Sequence, residues 1–139
     1  AMAEVLAHVY ALDEAGEMTD RRHQLGAWGE SEAARFLETL GYSIVERNVR
    51  TRYGELDIVA RDGSVLVFVE VRTKSKTTHG HPFETIDSRK QKKLIGMARW
   101  YLHARNLGEA VDCRFDAVAI VGEETAGYVI EHLKNVLFT

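Results

Sequence analysis

The dipeptide Asp62-Gly63 separates two apolar, β-branched runs, "ELDIVAR" (55–61) and "SVLVFVEVR" (64–72). That arrangement leaves few folds open. Asp-Gly is favoured in two-residue hairpin loops, so the runs read as antiparallel strands with 61 opposite 64, 59 opposite 66, 57 opposite 68 and 55 opposite 70. Side chains alternate along a strand, and opposite residues share a side. One face then carries Leu56, Ile58, Ala60, Val65, Val67, Val69 and Val71, wholly apolar. A slip of one residue would spoil that face, which supports the register.

The other face carries Glu55, Asp57, Val59, Leu66, Phe68, Glu70 and Arg72. Carboxylates are uncommon in strands and costly to bury without a partner. In this register Asp57 and Glu70 are diagonal neighbours, roughly 7–8 Å apart. Their repulsion needs relief: a shared proton, a basic partner such as Arg72, or a divalent cation. Hard oxygen donors on a rigid sheet suit Mg²⁺ or Mn²⁺. The residues alone do not choose between a metal site and an Arg–carboxylate network.

Around the hairpin, the spacing predicts a helix from about Asp20 to Leu40, with Leu25, Trp28, Ala33, Phe36, Leu37 and Leu40 on one stripe and Gly41 as its stop. Residues 42–50 read as a strand. Residues 77–87, with the only proline, read as a loop. A second helix is expected over 89–105, where Ser88 and Gln91 fit a capping box. Its core face is Leu94, Ile95, Ala98, Tyr101 and Leu102. Strands follow at 114–121 and 127–133. The order predicts an α/β fold, a central mixed sheet flanked by helices. Residues 1–20 read as an N-terminal arm, with Ala1 a remnant of cloning, and residues 21–139 as a single domain.

The net charge of −3 conceals a separation. Residues 1–20 hold five acidic side chains and no Lys or Arg. Residues 71–105 hold nine basic side chains against Glu84 and Asp87, with Arg47, Arg50, Arg52 and Arg61 nearby. A basic side next to the odd carboxylates points to a polyanionic partner. No run approaches the ~18 apolar residues of a membrane span. No signal-peptide pattern opens the chain, and one cysteine excludes an internal disulfide. A cytoplasmic protein with no membrane association is expected. Cys113 reads as an inert buried thiol, Trp28 and Trp100 as packing residues, and Asp116 as a partner of Arg114 or nearby backbone. His79 and His81 read as exposed loop residues.

The arrangement "GELD", twelve intervening residues, then "EVR" resembles the PD-(D/E)xK motif of restriction-endonuclease-like nucleases. With "GAWGESEAARFLETLGYSIVERNVR", "YGELDIVARDG", "LVFVEVRTK" and "RFDAVAI", the chain resembles the bacterial YraN-type family from roughly Leu25 to Val121. It is also similar in pattern to archaeal Holliday-junction resolvases. The resemblance implies a restriction-endonuclease-like αβββαβ core. It matches Glu30 to a helix glutamate, Asp57 to the motif aspartate, Glu70 to the (D/E) position and Gln91 to a glutamine on the following helix. Periodicity would not single out Glu30, since Glu32 lies nearer the middle of the apolar stripe. Arg72 departs from the usual lysine. Arginine stays protonated and cannot serve as a base, but it can hold a phosphate.

What the resemblance implies is a Mg²⁺- or Mn²⁺-dependent endonuclease for DNA, selective for branched structure. Asp57, Glu70 and Glu30 would ligate the metal, and Arg72 would stabilise developing charge. Lys74, Lys76, Lys90, Gln91, Lys92 and Lys93 would grip the nucleic acid. A homodimer would suit a four-way junction. The rival reading is a nucleic-acid-binding module on the same fold that does not cleave. A protein-interaction scaffold would leave the basic face without a purpose.

Overall fold

The computed structural model describes residues 14–75, 88–108 and 110–136, with side chains from Gln24 onward. The elements are α1 (Glu14–Thr39), β1 (Ser43–Arg50), β2 (Glu55–Asp62), β3 (Val65–Lys74), α2 (Ser88–Ala104), β4 (Cys113–Glu123) and β5 (Gly127–Leu133). They form one five-stranded sheet in the order β1-β2-β3-β4-β5. Every neighbouring pair is antiparallel except β3–β4, which run parallel on either side of α2 in the chain. A parallel pair needs a long crossover, which usually carries a helix. The fold is α/β with a mixed sheet, as the element order implied.

Helix α1 ends as its sequence dictates. Gly41 adopts φ 92°, the Tyr42 N–H donates to the Leu37 carbonyl at 3.1 Å, and the Gly41 N–H donates to the Glu38 carbonyl at 3.0 Å. That pair of bonds is the Schellman motif, and it turns the chain directly into β1. Trp28, Ala33, Ala34 and Leu37 of α1 pack with Ile58, Ala60, Val67, Val69, Val118 and Ile120 on one sheet face. On the other face Leu94, Met97, Ala98 and Tyr101 of α2, spaced i, i+3, i+4 and i+7, cover Val59, Leu66 and Phe68. Two helices thus bury both faces of the same three central strands.

The hairpin register differs from the expected one. Asp62 pairs with Val65, Ala60 with Val67 and Ile58 with Val69, so the turn is Gly63-Ser64 rather than Asp62-Gly63. Gly63 has φ 62°, whereas neither Asp62 nor Ser64 has a positive φ. A glycine at the first central place is what a type II′ hairpin turn requires. The register moves by two residues, which returns every side chain to the same face. The apolar-face criterion could not detect it. Continued one step, the ladder sets Asp57 opposite Glu70 instead of diagonal to it.

Leu56 departs from the expected alternation. It packs with its ladder partner Val49 in the α2-side cluster, while Ile58 packs on the α1 side. Cys113 is exposed at the start of β4, not buried as expected. Asp116 is fully buried and binds Arg114 and the Asn135 N–H, the kind of partners foreseen. Residues 1–13, with most of the expected arm, and Lys76, His79 and His81 lie outside the described residues. No described helix is long and apolar enough to cross a membrane.

Candidate active site

The site forms where the central strands stop being regular. Asn48 lies between the pairs Arg47↔Ile58 and Val49↔Leu56, which places it across from Asp57. Its φ of 55° is left-handed, a conformation that asparagine tolerates better than most residues and that is foreign to a regular strand. On the other side of β2 the paired positions with β3 end at Ile58↔Val69. Beyond that point the Val71 N–H donates to Asp57 Oδ2 at 2.8 Å. The Asp57 carboxylate therefore takes over from the ladder as the strands part, and its orientation is fixed by the backbone it serves.

Glu30 reaches this spot from α1. The preceding residue, Gly29, lies so close to the Thr73 side chain of β3 that a Cβ there would overlap it. A glycine permits that approach, which brings the Glu30 carboxylate over the strand edge. Glu32, two residues on, turns toward β5 and accepts the Tyr128 hydroxyl at 2.6 Å. The helix setting, rather than its apolar stripe, distinguishes the two acids.

Carboxylate oxygens of Glu30, Glu55 and Asp57 lie within 4.8 Å of one another. Asn48 ties two of them together. With its amide nitrogen turned to the acids, it donates to Glu30 Oε1 at 2.6 Å, Glu30 Oε2 at 3.2 Å and Glu55 Oε1 at 3.0 Å. Burial, then the charge of Glu55, raises the Glu30 carboxyl above its ordinary value, with Arg47 opposing. Asp57 is pushed up to about 7. Burial is the main cause; the bond from Val71 opposes it, and the charges of Glu30, Glu70 and Glu55 add to it. Like charges confined in a half-buried place are what a cation relieves.

Glu70 faces the same space from β3. Its Oε1 is 2.8 Å from Lys90 Nζ and 3.6 Å from Arg72 Nε, while its buried Oε2 has no hydrogen-bond partner among the described residues. Burial raises its carboxyl, and Arg72 opposes that. A cavity of about 180 Å³ is lined by Glu55, Asp57, Phe68, Glu70, Lys90 and Lys93, among others. A second hollow of about 280 Å³ includes Glu30, Asp57, Val71 and Thr73. Asp57 borders both.

The sequence-derived residues are thus distributed in three ways. Glu30 and Asp57 meet in the acid cluster, and Glu70, Arg72 and Lys90 meet beside it. Lys93 lines the cavity, Lys92 is exposed on α2, and Gln91 is half-buried in the first turn of that helix. Lys74 ends β3, across the parallel ladder from Val121. Glu55 and Asn48 were not among the expected site residues. Glu55 was visible as a face-mate of Asp57, whereas an asparagine inside a strand was a backbone signal that periodicity does not weigh. The cluster offers only hard oxygen donors, so it fits Mg²⁺ or Mn²⁺ and not a soft metal.

Comparison with known proteins places these residues in a shared framework. A family model described as uncharacterised protein family UPF0102 matches residues 29–120, a span that holds Glu30, Asn48, Glu55, Asp57, Glu70 and Lys90. A UPF0102 protein of Syntrophotalea carbinolica is 46% identical over 103 residues, covering 74% of this chain and 83% of that protein. Another, from Chlorobium phaeobacteroides, is 43% identical over 122 residues, covering 84% and 96%. A third, from Moorella thermoacetica, is 48% identical over 103 residues, covering 74% and 85%.

Proposed function

The chain belongs to the UPF0102 family, and we propose that its site hydrolyses phosphodiester bonds in DNA with the help of a divalent cation. One observation carries the reading. Three carboxylates converge where β2 and β3 part, a fourth stands beside them with Arg72 of β3 against it, and Lys90 and Lys93 of α2 line the cavity that the fourth borders. Acids and bases at one site match the needs of a phosphodiester: a place for a cation and a place for the phosphate charge.

Glu30, Glu55 and Asp57 would hold Mg²⁺ or Mn²⁺, with Glu70 at hand across the cavity. When bound, such a cation makes water more acidic and polarises the phosphate. The chain supplies the rest. Asn48 and the Val71 N–H hold the acids in place before any ligand arrives, so little reorganisation is needed. Arg72 and Lys90 meet the non-bridging oxygens, and Arg72, always protonated, acts by charge and not by proton transfer. Lys74, Lys92 and Lys93, with Lys76, would bind phosphates along the strand. Such contacts carry no sequence information, which favours selection by DNA structure, including branches and junctions. A homodimer would present two sites related as the arms of a junction are.

The test is incubation with Mn²⁺ and linear, flapped and four-way DNA, comparing wild type with Asp57→Asn. Cleavage by the wild type alone is expected, and strongest on the branched substrates. A second reading rests on the ion pairs of Glu70. Lys90 and Arg72 already neutralise it, as a module that binds DNA without cutting would need. Tight binding of branched DNA with no products, in Mn²⁺, would favour that reading.

A further inference from the structure

Beside the acid cluster stands an aromatic residue whose placement neither the core nor the acid cluster requires. Tyr53 lies in the turn between β1 and β2, two residues before Glu55, and its side chain is 50% exposed. A large exposed aromatic is usually mobile or incidental. This one is held in place. The Thr51 hydroxyl donates to the Gly54 carbonyl at 2.6 Å and accepts the N–H groups of Tyr53 and Gly54, each at 3.1 Å. The Thr51 N–H also donates to the Gly54 carbonyl at 2.8 Å. Four bonds thus close a turn of four residues.

The turn is then seated on α2. Gly54 has φ 149°, and a Cβ there would come within 2.9 Å of Lys93 Cε and 3.2 Å of Met97 Sδ. That φ favours glycine, and the missing Cβ leaves the turn close against the Lys93 and Met97 side chains. Gly96 completes the seat: a Cβ on it would already touch the Tyr53 ring, at 3.4–3.6 Å. One side of the ring therefore faces α2 at Gly96, and half of the residue is left to solvent.

The surroundings are cationic. The Arg52 guanidinium carbon is 6.0 Å from the ring centroid, at the outer limit of a cation–π contact. Arg50 pairs across the ladder with Glu55, and Lys93 lies under Gly54. An exposed aromatic ring with a cation at its face and others along the same turn suits unpaired nucleotides: the ring stacks on a base, and the cations meet its phosphates. Two extended residues span at most about 7 Å, so a base on Tyr53 belongs to a nucleotide next to, or one step from, the phosphate at the acids.

We infer that Tyr53 is a stacking platform for an unpaired base flanking the scissile phosphate, so that the site selects DNA in which a strand leaves the duplex. This rests on the DNA-directed reading above and adds the residue that would select the substrate. A fully paired duplex keeps its bases stacked on one another and offers none to Tyr53. A flap, or a branch point that carries an unpaired nucleotide, does.

The test is fluorescence anisotropy in EDTA with a labelled flapped duplex and a blunt duplex of equal length. A flap base replaced by a purine analogue that dims on stacking reports the contact directly. Wild type and Tyr53→Phe are expected to bind the flap alike and to quench the analogue. Tyr53→Leu keeps apolar bulk over Gly96 without a π face, and Tyr53→Ala removes both. Each should lose about tenfold in flap affinity and all of the quenching, with blunt-duplex binding and melting temperature unchanged. Equal flap binding by all four proteins overturns the inference and leaves the DNA reading intact, with Tyr53 then free to serve a protein partner. No DNA binding by the wild type at low salt, in EDTA and again with Mn²⁺ present, overturns both.

Discussion

The Asp57 carboxylate accepts the Val71 N–H at 2.8 Å, standing in for a ladder partner at the point where β2 and β3 separate. The bond favours the charged acid, yet burial and the three neighbouring glutamates outweigh it and set the group at about 7. The folded protein therefore holds a proton here that the unfolded chain releases near its ordinary value of 3.8. For a carboxyl raised on folding, stability is greatest in acid and declines as pH rises from about 4 to about 7.

Asp57→Asn keeps an oxygen for Val71 and removes the charge. At pH 8 the variant is expected to be more stable than wild type, by on the order of 2 kcal/mol. The advantage shrinks to nothing by pH 4. Denaturant unfolding across that range checks it, and parallel pH curves for the two proteins would show that Asp57 is not a source of strain. The same variant should lose Mn²⁺ binding, so stability and ligand binding move in opposite directions.

Asn48 does two jobs that a pair of substitutions separates. Its backbone takes a left-handed conformation, and its amide bridges Glu30 and Glu55. Asn48→Gly keeps the backbone and loses the amide, whereas Asn48→Ala loses both. Glycine is expected to weaken Mn²⁺ affinity about tenfold, the low end for the loss of a residue that orients ligands, with a small change in melting temperature. Alanine should add a stability loss of about 1 kcal/mol. Calorimetric titration beside thermal melts measures both; unchanged affinity in Asn48→Gly would leave the amide with no part in the site.

The close approach of Gly29 to Thr73 makes the position of α1 testable without touching an acid. Gly29→Ala must push the helix or the threonine aside, at a cost of about 1–3 kcal/mol. Because Glu30 is the next residue, Mn²⁺ affinity should fall as well. The double variant Gly29→Ala with Thr73→Ser retains the hydroxyl that meets the new methyl, so it should rescue little; Thr73→Gly in its place should restore affinity. No rescue by that second change would mean that the contact with Thr73 is not what sets the helix.

How much of this was open to inspection in the sequence follows from the physics of each signal. Period-two alternation fixed which side chains share a face, and it did so correctly for Ile58, Ala60, Val67 and Val69. It is blind to a two-residue shift, so the competition between Asp62-Gly63 and Gly63-Ser64 for the turn was decided by backbone dihedrals that alternation does not report. The same rule misplaced Leu56, because alternation assumes an unbroken strand and the chain is irregular across Asn48 and Asp57. Glu30 needed family resemblance, since a helical wheel cannot say how the helix is set on the sheet. Glu55 was legible as a carboxylate on the right face but not as a neighbour of Glu30, a contact between residues 25 apart in sequence on different elements.

Outside the acid cluster, Asp116 anchors a polar network whose failure in acid is predictable. Its carboxylate accepts from Arg114 Nε at 2.9 Å, from the Asn135 N–H at 3.0 Å and from the Tyr42 hydroxyl at 3.2 Å, and it lies 2.8 Å from His132 Nε2. Arg114 in turn reaches Asp62 at 3.1 Å, so the network ties β2, β4, the start of β1 and the end of the chain beyond β5. Burial alone would raise the acid. The bonds from His132, Arg114 and Asn135 more than offset that and hold it at about 2. A carboxyl lowered on folding contributes stability above its ordinary 3.8, and that contribution is lost as pH falls from about 4 to about 2. Asp116→Ala leaves Arg114 and His132 facing a buried gap and should cost about 3–5 kcal/mol at neutral pH. Asp116→Asn retains the shape and should cost less, while flattening the acid limb of the stability curve between pH 4 and pH 2. Denaturant unfolding at several pH values measures that limb, and an unchanged slope in Asp116→Asn would assign the acid transition to other carboxylates.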